Sequence, residues 1–188
     1  MKRNIITLIF FLLVIVASAQ SITITGRSNK TNTLIRLFAY EDLVNEASIL
    51  LDQGKTDDQG HFILEGNVKQ ILPARIYVGL EYVDLILTPN ATYDIEIIVP
   101  EQKENVSYFD KELPTIRVKR ATDQGIYRQI ILSEEIINGY LIEHFNQIYR
   151  GRQLRYIDSI QNTINQELPD IKSNYVKEHN RYKIAAVR

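Results

Sequence analysis

Three histidines are the only imidazoles in the chain, His61, His144 and His179, and they are the natural place to look for metal or acid–base chemistry. A zinc helix needs two histidines four residues apart. Glu143-His144 and Glu178-His179 each lack that second imidazole, so both read as ordinary surface or half-buried positions. Asp57-Asp58 carries two carboxylates but not the alternating acidic positions and closing glutamate of a calcium loop. Ser133-Glu134 offers a hydroxyl beside an acid, with no histidine in the same motif and no G-x-S-x-G elbow anywhere. The eight glycines are scattered, so no glycine-rich phosphate cradle precedes a helix. With no cysteine present, thiol redox chemistry and thiolate metal sites are excluded. The reading is a chain without a catalytic set, a cofactor site or a metal site.

Binding chemistry is a different matter, because the chain holds eleven tyrosines. Tyr77 and Tyr82 fall where a strand would turn them outward, and exposed rings on a sheet can stack on pyranose faces. They are the candidate glycan-stacking residues, against the plainer reading of tyrosines that fill core margins. Modification signals are short. Asn29-Lys30-Thr31, Asn90-Ala91-Thr92 and Asn105-Val106-Ser107 fit the N-glycosylation triplet. Asp158-Ser159-Ile160 is similar to an O-glycosylation acceptor of exported Gram-negative proteins, with Ser159 the acceptor.

The elements that must carry these residues begin with a leader. Lys2 and Arg3 are followed by an apolar run from Ile5 to Val16 and by Ala17-Ser18-Ala19, the small-x-small pattern of signal peptidase. Cleavage is expected between Ala19 and Gln20. That run falls short of the roughly 20 apolar residues a spanning helix needs, so no stable membrane anchor is expected after cleavage. Without Lys2 and Arg3, 20 basic residues stand against 23 acidic ones, a net charge of −3. So weak a balance gives no reason for a nucleic-acid partner. Arg117-Val118-Lys119-Arg120 reads as a solvated strand end.

Beyond the leader the period is two. Ser21 to Gly26 alternates hydroxyl and isoleucine, Thr33 to Tyr40 is a central strand, and Asp57-Asp58-Gln59-Gly60 is a turn between two further strands. Ile76, Val78 and Leu80 share a face, as do Val83, Leu85 and Leu87, and Tyr93, Ile95, Ile97 and Val99 alternate with acids. Thr115 to Lys119 adds an edge. Short strands at this spacing predict an antiparallel β-sandwich of about seven strands over residues 20–120. From 121 to 188 the period changes to 3.6, and two or three amphipathic helices are expected. Gly139 weakens the first, Arg150-Gly151-Arg152 stops it, and Pro169 ends the second.

Gly26, a strand pair, the run Asp58-Gln59-Gly60-His61-Phe62-Ile63-Leu64-Glu65-Gly66, then Leu85-Ile86-Leu87-Thr88-Pro89-Asn90 and a closing β run resemble the N-terminal domain of unknown function that precedes thioredoxin-like domains in exported Gram-negative proteins. The stretch from Gln124 on is similar to the linker between the two. In that family the chemistry lies in a downstream C-x-x-C pair, which this chain lacks, so the resemblance implies fold, export and a supporting role only. The expected function is a periplasmic or secreted, non-catalytic accessory or protein-interaction module with an envelope protein as partner. Two alternatives stand beside it: the front part of a thiol-disulfide oxidoreductase without its catalytic domain, and a carbohydrate-binding module.

Overall fold

The computed structural model describes residues 21–42, 47–101 and 111–187. The leader, its cleavage point at Ala19 and Gln20, and the Asn105-Val106-Ser107 triplet lie outside the described residues. The chain forms two compact units that meet in sequence at Gln124 and Gly125. The first is mainly β, the second helical, as the change of period predicts.

Eight strands make up the first unit: β1 (Ser21–Ser28), β2 (Leu34–Asp42), β3 (Ala47–Lys55), β4 (His61–Asn67), β5 (Leu72–Val78), β6 (Glu81–Leu87), β7 (Thr92–Ile98) and β8 (Thr115–Ala121). They form two open four-stranded sheets, ordered β4-β1-β7-β8 and β3-β2-β5-β6, the arrangement of a sandwich. Alternation along each strand puts one set of side chains inside. Ile22, Ile24, Leu64, Ile95 and Ile97 of the first sheet and Ile35, Leu37, Ile76, Leu85 and Leu87 of the second are all at most 1% exposed. Tyr93 is equally buried, and its phenolic oxygen accepts the Thr88 N–H at 2.9 Å, so its polar end is satisfied.

One pairing departs from the antiparallel expectation: β1 and β7 run parallel, with Ile24 opposite Tyr93 and Gly26 opposite Ile95. Asn29 prolongs that pairing past the strand ends, because its side-chain amide both donates to the Val99 carbonyl and accepts the Val99 N–H, each at 2.8 Å. Leu80 also differs from expectation. It is 92% exposed at the tip of the β5–β6 turn rather than on the face of Ile76 and Val78, because Gly79 takes a positive φ of 65° and ends the strand early.

The Asp57–Gly60 bend is built from the carboxylate outward. Asp57 Oδ1 accepts the N–H groups of Gln59 and His61, both at 2.8 Å, and Oδ2 meets the His61 ring at 3.3 Å. Gly60 has φ 83°, and a Cβ there would collide with the Ser28 carbonyl oxygen, whose own residue donates its N–H to Gly60. Beneath the bend the buried Thr56 hydroxyl donates to Lys30 O at 2.8 Å and accepts Thr33 N–H at 3.0 Å.

The second unit contains α1 (Ile126–Glu143), a π-helical turn (Asn146–Arg150), α2 (Leu154–Glu167) and α3 (Asn174–Ala185). Ile137, Ile148, Ile157, Ile160 and Ile164 pack as its apolar core, each from a position the 3.6-residue period marks. The first helix ends earlier than expected, at Glu143, and the π turn carries the chain on to Gly151. Among the described residues no helix is long and apolar enough to cross a membrane.

Candidate functional site: an arginine–tyrosine sheet face and a polar clasp between helices

The face of β3-β2-β5-β6 that points away from the core is where the chemistry-bearing side chains of the sandwich gather. Alternation sends Arg36, Phe38 and Tyr40 outward from β2, since Ile35, Leu37 and Ala39 point in. Register then fixes their neighbours. Arg36 lies opposite Tyr77, which lies opposite Tyr82, and Phe38 lies opposite Arg75, which lies opposite Asp84. Leu50 of β3 continues the second row beside Phe38. The result is a chequerboard of guanidinium and aromatic groups.

Geometry within it is specific. Arg75 has its guanidinium 4.5 Å from the Tyr82 ring centre and 4.9 Å from that of Tyr40, donates Nε to Asp84 Oδ1 at 3.0 Å, and donates Nη1 to the Tyr40 hydroxyl at 3.1 Å. Burial works against its charge, yet Asp84 and Tyr40 together hold the guanidinium pKa above its ordinary value. Burial, and after it the Tyr77 hydroxyl, push Tyr40 upward, so the phenol stays neutral. Arg36 stands 5.5 Å from the Tyr77 ring centre and gives Nη2 to Gly79 O at 3.3 Å. Its Nε is buried without a hydrogen-bond partner. The two sequence-predicted residues, Tyr77 and Tyr82, are brought together: their ring centres lie 5.5 Å apart, tilted by 45°, while Phe38 meets Tyr77 edge-on at 79°. Tyr82 is 43% exposed and Tyr77 half-buried.

The remaining candidates are structural in their surroundings. Asp57 and Asp58 are both exposed, Asp57 capping the bend and Asp58 accepting from Asn32 at 2.9 Å. Asn90 sits in a turn at φ 63°. The Asn29 amide is committed to Val99. Ser159 lies within α2 and donates its hydroxyl to Arg155 O at 2.9 Å. His144 packs between Tyr140 and Tyr156, ring centres 4.3 and 4.9 Å away.

One cluster escaped the sequence reading, because its members are 45 residues apart. Glu134 of α1 accepts from His179 Nε2 at 3.0 Å and from Lys183 Nζ at 2.8 Å, both on α3, while Asn180 donates to the Ser133 hydroxyl at 3.1 Å. His179 and Lys183 are one helical turn apart, the spacing that signals it. The hydrogen bond from His179 is the main cause holding the Glu134 carboxyl down at about 2; burial opposes it and Lys183 reinforces it. Serine, histidine and glutamate here do not form a nucleophilic relay. Ser133 is fully buried and faces Asn180. The cluster is a clasp between two helices.

A groove of about 600 Å³ in the helical unit is lined by Ile157, Leu168, Ile171 and Ile184 together with Lys177 and Arg181. Among the described residues no three acidic or imidazole groups converge to hold a metal ion. No family model matches the chain, and the search of curated proteins finds no match either. Fold and site define a class, a β-sandwich followed by a helical unit, with an arginine–tyrosine sheet face as its most chemically distinctive surface.

Proposed function

We propose that this is an exported, non-catalytic protein-interaction module whose working surface is the outer face of β3-β2-β5-β6. The leader motif supports export. The observation that carries the reading is the chequerboard of Arg36, Phe38, Tyr40, Arg75, Tyr77 and Tyr82 on one sheet face. Tyrosine and arginine dominate the energetic centres of protein interfaces because they bury much area with few torsions and keep a polar end. Here they are held in place before any partner arrives, by Asp84 and by one another, so binding sacrifices little side-chain entropy.

A glycan platform is the competing use of Tyr77 and Tyr82. Pyranose stacking needs an uncovered ring face, and the Arg75 guanidinium lies over the Tyr82 ring, 4.5 Å from its centre. That orientation supports a protein partner. The test is retention of envelope proteins on immobilised residues 20–188, with Tyr82→Ala and Arg75→Ala as variants and the Tyr77→Ala, Tyr82→Ala pair run on a glycan array. The expected outcome is a loss of about tenfold or more in protein retention for each single variant, a hot-spot effect. Unchanged retention in both variants, or glycan binding that vanishes in the double variant, overturns the reading.

A further inference from the structure

Four strands form the edges of the two sheets, and three of them are blunted against pairing. β8 carries Arg117, Lys119 and Arg120. β6 carries Glu81 and Asp84. β4 bears His61 and Glu65, and its Glu65 N–H is already taken by Asp52 Oδ2 at 2.8 Å. β3 is different. Its charges, Asp52 and Lys55, lie only in its second half, where Leu51 is the extra residue of a bulge and comes close to Gly66 of β4. The first half, Ala47-Ser48-Ile49-Leu50, has neither charge nor proline, is exposed throughout, and among the described residues is paired on one side only, with β2. Ile49 is 46% and Leu50 43% exposed, and as successive residues of a strand they point to opposite faces.

We infer that Ala47–Leu50 is a docking edge that receives an extended segment of the partner protein as an added strand. The inference rests on the protein-interaction reading above and names how the partner engages. Outward backbone N–H and C=O groups of an edge are complemented best by another strand. The uncharged side chains on both faces fit a partner segment that is itself uncharged and β-branched at alternate positions, since a charge opposite Ile49 or Leu50 would lose solvent without gaining a pair. Leu50 is the cross-strand neighbour of Phe38, so a strand added here extends the Leu50–Phe38–Arg75–Asp84 row by one position. Edge and face become one continuous surface.

The probe is a capped peptide of about nine residues alternating valine and threonine, with a control N-methylated at every internal amide so that neither of its edges can pair. Amide hydrogen exchange of residues 20–188 is read with and without each peptide at millimolar concentration. The expected result is about tenfold slower exchange within 47–50 with the first peptide and none with the control. Leu50→Lys and Ser48→Lys, each checked for an unchanged thermal midpoint, abolish the slowing, whereas Ile63→Ala, 64% exposed on β4 of the other sheet, leaves it. No slowing at 47–50, slowing confined to other strands, or slowing that grows with protein concentration in the absence of peptide, which would mark self-pairing, overturns the inference. Its failure is separable from failure of the face, which is read by retention in Tyr82→Ala and Arg75→Ala.

Discussion

Glu134 shows how a single carboxylate can join two helices that sequence separation conceals. It gathers His179 and Lys183 from α3, and its pKa is depressed from the ordinary 4.5 to about 2. A carboxylate depressed in this way contributes stability that is complete above its unfolded value near 4.5 and is lost as pH falls through about 2. Glu134→Gln is therefore expected to lower the stability of the helical unit by about 1 kcal/mol at neutral pH, since the clasp is only partly shielded from water. It should also flatten the decline in stability between about pH 5 and pH 2, to the extent of this group's share. Thermal melts by circular dichroism across that range check both, and an unchanged acid limb would mean that the clasp is idle. The sequence offered His179 and Lys183 at helical spacing and Ser133-Glu134 elsewhere, but nothing local says which helix faces which. Tyr77 and Tyr82 were legible as outward positions, but their pairing was not: it comes from the two-residue Gly79-Leu80 turn, which alternation alone assigns to the strand and which makes them cross-strand neighbours.

Among elements, α1 gives the plainest case of a residue at odds with its setting. Gly139 lies inside the helix, is exposed, and would place a Cβ in open space. The helix runs through it without a break. Gly139→Ala should raise stability by about 1 kcal/mol, the helix-propensity difference, seen as a higher denaturant midpoint with unchanged slope. A lower midpoint would show that the flexibility of glycine matters there. Helix ends were legible where proline enforces them: α2 stops at Glu167, just ahead of Pro169. The end of α1 was not, because the apolar period through Ile137 and Leu141 continues to Ile148 and conceals the change to a π turn. Strand extents followed from alternation, most clearly in β7, where Tyr93, Ile95 and Ile97 are buried between exposed or half-buried neighbours. The parallel β1–β7 pairing was not legible, since alternation fixes which face is buried but not which strand lies alongside.

At the scale of the molecule, sequence and structure agree on a sandwich followed by helices, and they locate chemistry differently. Titratable residues that looked suggestive in sequence are spent on structure, Asp57 on its bend and Glu134 on its clasp. The outer sheet face needed tertiary register to appear, because Arg36, Arg75 and Tyr82 come from three strands and mean little singly. The account turns on that face as the surface a partner protein meets. The most direct measurement replaces Tyr82 with a photo-crosslinking phenylalanine analogue in the cell, and Ile63, 64% exposed on β4 of the other sheet, with the same probe as a control. The account predicts discrete protein adducts from position 82 and none from position 63; adducts at 63 alone, or at neither, would contradict it.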